Sequence, residues 1–149
     1  MIYVDSCYAV KCYVMEAGTA EVRELFVDAD GVAACIHTRV EFMAAIHRHF
    51  REQRLTFAEM TNVIEDFERD CRSGFWTWLN LDEAVAHRAS AVIRGLPETI
   101  FVRAGDALHL ACAAANGFSE VFSNDRHLLL AAPYFGVRGT NVIPRPGPA

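Results

Sequence analysis

An α/β fold, with a mostly parallel central sheet and helices on both faces, follows from three features of the sequence. Short apolar runs alternate with longer stretches in which apolar residues recur at helical spacing. Glycine and proline punctuate these stretches at Gly18, Gly31, Gly74, Gly95, Pro97 and Gly117. The chain has 149 residues, 52% of them hydrophobic, which suits one domain with a substantial core. Strands that alternate with helices in this way pair in parallel, because each helix carries the chain back to the start of the next strand.

The elements are expected in the following order. Residues 1–5 form a buried strand that ends in an acid, and a helix runs from Ser6 to about Met15. A second helix follows Gly18, with Val22, Leu25, Phe26 and Ala29 on its inner side. Gly31 opens a strand over 32–36. Thr38 starts a helix that turns Phe42, Ala45, Ile46 and Phe50 inward, and residues 55–72 continue helically through Leu55, Met60, Val63, Ile64 and Phe67. Gly74 stops that segment, and the aromatic run 75–79 is the third strand, with Trp76 and Trp78 in the core or an interface. Asp82 caps a helix through Arg94 that buries Val85, Ala89, Val92 and Ile93. Residues 103–116 form the clearest helix, with Leu108, Ala111, Cys112 and Ala115 as one stripe. A strand over 120–123, a short helix over 125–132 and a strand over 140–143 complete about five short strands. The domain is expected to span 1–143, and 144–149 to form a loose tail.

Composition excludes several classes. The start Met-Ile-Tyr-Val-Asp lacks the basic beginning of a secretory signal, and no apolar run is long enough for a membrane helix. The five cysteines make an odd count without a Cys-x-x-Cys pair. They read as small buried hydrophobes in a reducing cytoplasm rather than as zinc ligands or a disulfide framework. The net charge of −5 argues against a passive nucleic-acid coat, which would normally be basic.

Four acids stand where strands hand over to helices or at helix starts: Asp5, Glu41, Asp106 and Asp125. Each has an ordinary structural explanation. Thr38-x-x-Glu41 matches a capping box, Asp5 and Asp125 suit N-caps, and acids in a first turn suit the helix dipole. Taken together they point further. In parallel α/β sheets, sites form beyond the carboxyl ends of the strands. Carboxylates that converge there repel one another unless a divalent cation neutralises them. An all-oxygen ligand set of this kind suits Mg²⁺ or Mn²⁺.

Four segments carry a specific resemblance. Met-Ile-Tyr-Val-Asp-Ser at 1–6, Val-Glu-Phe at 40–42, Arg-Ala-Gly-Asp-Ala-Leu-His-Leu-Ala at 103–111 and Phe-Ser-Asn-Asp-Arg-His-Leu at 122–128 resemble the PIN-domain ribonucleases, and more narrowly the VapC toxins of bacterial toxin–antitoxin pairs. The order and spacing match over nearly the whole chain. The resemblance implies a PIN-like three-layer sandwich and a metal-dependent endoribonuclease that leaves 5′-phosphate and 3′-hydroxyl ends. It also implies Mg²⁺ or Mn²⁺ held by Asp5, Glu41, Asp106 and Asp125, with Ser6 and Ser123 as supporting groups. Two positions depart from the family pattern: Cys7 stands for a usual serine and Gly105 for a usual alanine.

In this reading the cation orients and activates a water for in-line displacement at phosphorus. Glu41 either ligates or helps deprotonate that water. Arg103 and Arg126, beside Asp106 and Asp125, are candidate substrate contacts, as is His109, one turn beyond Asp106. The resemblance further implies an RNA substrate, a small antitoxin whose C-terminal segment covers the groove, and a homodimer. The segment 50–75 is less diagnostic and would shape partner contacts. A catalytically inactive PIN-like module that binds RNA or protein is the alternative. Phosphorylated receiver domains are excluded because no lysine follows Lys11, and haloacid-dehalogenase phosphatases because position 7 is Cys7.

Overall fold

The computed structural model describes residues 1–144; the expected tail, from residue 145 on, lies outside the described residues. The elements run β1 (Ile2–Tyr3), α1 (Ser6–Tyr13), α2 (Thr19–Asp28), β2 (Val32–Cys35), α3 (Thr38–Arg51), α4 (Phe57–Ser73), β3 (Trp76–Leu79), α5 (Glu83–Arg94), α6 (Ala104–Ala115), β4 (Glu120–Phe122), α7 (Arg126–Ala131), a 3₁₀ turn (Ala132–Phe135) and β5 (Arg138–Thr140).

All strand pairs are parallel. β2 lies between β1 and β3, with Val32 opposite both Ile2 and Trp76, and β4 pairs with β5. The two ladders meet at a single parallel bridge between Val4 and Phe122, reinforced by the Asp5 amide donating to the Phe122 carbonyl at 3.2 Å. The strand order is therefore β3-β2-β1-β4-β5. Strand order reverses between β1 and β4, the switch point at which α/β folds open a crevice.

Side chains alternate along the strands and define the layers. Tyr3, Ala33 and Cys35 face α5, α6 and α7. Val4, Val32 and Ala34 face α1 to α4. α6 lies against the sheet and between neighbouring helices, so it buries Ala107, His109, Leu110, Ala111, Cys112 and Ala113 rather than one stripe. Leu108 is only partly buried and Ala115 is exposed, because alanines elsewhere on the helix allow close approach from several directions.

Two strands differ from expectation. β1 is shorter, since Met1 lies outside the ladder and Val4 pairs across to β4. β5 begins earlier than the β-branched Val142–Ile143 pair suggests. Arg138 and Thr140 both satisfy the Glu120 carboxylate, which sets Glu120 opposite Arg138. Gly139 makes this register possible, because a Cβ there would stand 2.9 Å from Leu129. Val142 and Ile143 pack instead against the α1–α2 side of the core. The expected Thr38–Glu41 capping box is also absent: His37 precedes the helix without a side-chain cap, and Thr38 Oγ1 is buried without a partner. A true capping box starts α4, formed by Thr56 and Glu59.

The hairpin α3–α4 is pinned by aromatic rings. Phe67 is the one fully buried side chain of α4. It stacks on Phe42 at 3.9 Å between ring centroids and meets Tyr13, Trp76 and Trp78 edge-on or tilted. Among the described residues, no helix is long and apolar enough to cross a membrane. Replacing Phe67 with alanine is expected to cost about 3–5 kcal/mol in urea unfolding, as removal of a fully buried ring does. A loss under about 1 kcal/mol would show that α4 is anchored elsewhere.

Candidate metal centre and its groove

The switch point places three aspartates around one opening. Asp5 follows β1 and caps α1, its Oδ1 accepting from the Tyr8 amide at 3.2 Å. Asp125 follows β4 and caps α7, its Oδ1 accepting from the amides of His127 at 2.7 Å and Leu128 at 3.2 Å. The ordinary capping role and the site role thus coexist, because each carboxylate has two oxygens. Asp106, in the first turn of α6, is not the cap residue but accepts from the backbone of Arg103, which is, and its Oδ2 is buried with no hydrogen-bond partner.

Ser123 ties the site together. Fully buried, its hydroxyl donates to Asp5 Oδ2 at 2.6 Å and accepts from the Asp125 amide at 2.9 Å. Cys7 is also part of the site, against the reading of all five cysteines as inert hydrophobes. Its thiol donates to Asp5 Oδ1 at 2.8 Å, and burial beside that carboxylate pushes its pKa well up. The sequence signal was available: the thiol stands two residues after a strand-end acid.

The acids are electrostatically poised. Burial raises the pKa of Asp5, and the charge interaction with His109, followed by the hydrogen bonds from Cys7, Ser123 and Tyr8, offsets this only in part. Asp106 is raised by burial and by the charges of Asp125 and Asp5, against the opposing pull of Arg103. Glu41 shows the opposite balance. Burial works against its charge, but the hydrogen bond and charge of His109, with His37 and Ser6, hold its carboxyl below the usual range.

Glu41 and the three aspartates all line one groove of about 510 Å³, together with Ser6, Cys7, Arg103, Gly105 and Asn124. Glu41 leans away from the aspartates within it. Its Oε2 accepts from His109 Nε2 at 2.8 Å and lies 3.5 Å from His37 Nε2. His109 is only 2% exposed, so it holds Glu41 and does not offer a surface to substrate. Arg103 reaches into the groove and pairs with Asp125 Oδ2 at 3.0 Å. Arg126 does not line the groove; it lines an adjoining hollow with Leu129, Leu130 and Asn141, and Asn124 lines both.

The groove also has basic lining: Lys11, Arg48, His49 and Arg54 border it, with Glu16 among them. These residues were missed because α3 and the α3–α4 turn approach the sheet edge only in the folded chain. Lys11 is engaged by Glu16 at 2.7 Å and Arg54 by Glu52 at 3.0 Å; the Arg54 pair is exposed and exchangeable, so Arg48 and Arg54 form the principal cationic rim.

Mutual repulsion in the ion-free acids makes a checkable claim. Asp106→Asn should raise the melting temperature in excess EDTA by about 2–4 °C, read by calorimetry at neutral pH. The folded pKa of Asp106 is raised, so ionisation costs stability above it. The gain should therefore vanish as the pH falls through that raised value and the wild-type carboxyl becomes neutral too.

Comparisons with known proteins identify the fold. The family model described as the PIN domain matches residues 2–132. No individually curated protein matches the chain. Among solved structures, VapC20 of Mycobacterium tuberculosis, described as a toxin that cleaves the sarcin–ricin loop, superposes with a TM-score of 0.69 at 15% identity, covering 93% of this chain and 99% of that one. FitAcB of Neisseria gonorrhoeae superposes with a TM-score of 0.71 at 18% identity, covering 95% and 98%. VapBC2 of Rickettsia felis, solved with a DNA fragment from its promoter, gives 0.66 at 12% identity, covering 95% and 98%. These likenesses are likenesses of fold. With the match across most of its length and the acids gathered at the β1/β4 crevice, the chain belongs to the PIN domain family.

Proposed function

We propose that the protein is a divalent-metal-dependent endoribonuclease, the toxin of a toxin–antitoxin pair, which hydrolyses RNA at the groove beyond β1 and β4. The observation that carries this reading is the oxygen of Asp106 buried without a partner beside two other carboxylates. An orphaned buried carboxylate oxygen is costly unless a cation or donor arrives, so the donor set fits a hard divalent ion. Asp5, Asp106 and Asp125 would hold Mg²⁺ or Mn²⁺, with Glu41 as a further ligand or proton acceptor. When bound, such an ion supplies charge neutralisation and an activated water for phosphodiester hydrolysis.

The chain's own residues do the rest. Ser123 fixes the spacing of Asp5 and Asp125 by hydrogen-bonding both. Arg103 holds Asp125 Oδ2 from the rim, where a guanidinium can also meet a phosphate. Glu41, kept ionised by His109 and His37, is ready to accept a proton. The basic rim of Arg48 and Arg54 draws the sugar–phosphate chain toward the acids. Single-stranded loops are favoured because their backbone enters a groove that a stiff duplex does not. The solved neighbours include toxin–antitoxin complexes, which supports a small protein partner. An acidic groove attracts a cationic segment of such a partner. A homodimer and a cytoplasmic location complete the proposal.

Cleavage of a labelled single-stranded RNA by pure protein with Mn²⁺ tests the chemistry. Asp106→Asn should lose at least about 100-fold in rate, and Ser123→Ala about 10–100-fold, the range for removing a group that orients a ligand. Both variants should keep the wild-type circular dichroism. Unchanged cleavage by Asp106→Asn would leave only the non-catalytic module.

RNA binding tests the rim separately. Arg48→Ala combined with Arg54→Ala should weaken binding of an uncleavable single strand. It should also lower the slope of log K against log salt by roughly 0.7 for each phosphate that the rim no longer neutralises. An unchanged salt slope would place the RNA path elsewhere.

A further inference from the structure

Beside the three aspartates lies a second set of metal-ligating side chains with different chemistry. His37 and Glu41 stand one helical turn apart at the start of α3, and His109 reaches them from α6. One ligand atom from each lies within 4.8 Å of the others; among the described residues, these three form the group that meets this distance. A tetrahedral ion bound at roughly 2.1 Å needs ligands about 3.4 Å apart. The 3.5 Å between His37 Nε2 and Glu41 Oε2 meets that already. The 2.8 Å between His109 Nε2 and Glu41 Oε2 is a hydrogen bond that would lengthen as an ion replaced its proton.

Two further observations point to a ligand. The His37 ring lies among Cys35, Glu41 and the Gly105 backbone, and neither of its nitrogens reaches full hydrogen-bond geometry, so a cation competes there only with weak contacts. His109 is oriented from behind: its Nδ1 lies 3.3 Å from the Tyr3 hydroxyl, which can accept from Nδ1 when Nε2 turns to a metal, the usual support for a ligating histidine. Gly105 makes room for this arrangement. A Cβ at that position would stand 2.7 Å from Glu41 Oε1, so a larger residue would drive the carboxylate off the histidines.

We propose that His37, Glu41 and His109 form a second cation site, selective for a late transition ion such as Zn²⁺, and that its occupancy withdraws Glu41 from the aspartates. Two imidazoles and one carboxylate suit Zn²⁺ and discriminate against Mg²⁺, which prefers oxygen. Three protein ligands leave one coordination position for water or a groove ligand. The binding claim stands alone, whereas the withdrawal of Glu41 rests on the nuclease reading of the groove. Zn²⁺ would then inhibit by occupying Glu41, without displacing the hard ion from Asp5, Asp106 and Asp125.

Titrating pure protein with Co²⁺ and following its visible absorption tests the site without any activity readout. The expected result is one ion per chain, displaced by one Zn²⁺. Affinity should fall at least about 10-fold in His37→Ala and in Gly105→Ala, and persist in Asp106→Asn. Gly105→Ala leaves both histidines in place and adds a helix-favouring residue, so it remains informative if a histidine variant unfolds. Undiminished binding in His37→Ala and Gly105→Ala would overturn the site, as would absence of binding in the wild type. An intense thiolate charge-transfer band would also overturn it, by assigning the ion to Cys35, the neighbour of His37. Adding Zn²⁺ to Mn²⁺-supported cleavage then tests the consequence. Zn²⁺ that binds without inhibiting overturns the withdrawal of Glu41, and protein that binds Co²⁺ at this site yet never cleaves RNA sinks the nuclease reading alone.

Discussion

One hydroxyl links the two halves of this molecule. The β1–β2–β3 and β4–β5 ladders join at the Val4–Phe122 bridge and the Asp5 amide beside it, and just beyond them Ser123 hydrogen-bonds both Asp5 and the Asp125 amide. The same point thus carries the continuity of the sheet and the spacing of two acids. A shift of one half against the other would break a buried charge-assisted hydrogen bond, which holds the crevice to one geometry. The chain tolerates the buried Asp5 charge because Ser123, Cys7 and the Tyr8 amide all donate to it.

Much of this was legible before folding. Short apolar runs interrupted by glycine gave the order of helices and strands, and the junction acids lie in one groove because parallel strands end on one edge. The resemblance to the PIN family added a match that periodicity alone does not provide. What escaped was long-range. The register of β5 depends on Glu120 meeting Arg138 and Thr140 across the ladder, a pairing that outweighs the β-propensity of Val142 and Ile143. The capping box expected at Thr38–Glu41 lost its glutamate to His109, a residue 68 positions away. His37 drew no attention because His109, which completes its group, arrives from another helix.

Charge distribution explains why the net value is a poor guide to ligands. The groove carries both signs, lined by the carboxylates and by Arg48 and Arg54. Local arrangement outweighs a sum of −5 spread over the whole surface.

The double use of Asp5 and Asp125, one oxygen for a helix start and one for the groove, constrains how these positions can vary. Asparagine caps a helix about as well as aspartate, and alanine does not. At positions 5 and 125 a change to asparagine removes charge while keeping the backbone anchored, whereas alanine also unfastens a helix. Asp106 is tied to a helix start as well, from inside its first turn, by accepting from the backbone of Arg103 at the cap of α6. All three aspartates are therefore bound to the architecture as well as to the chemistry, and a change at any of them is felt by a helix start.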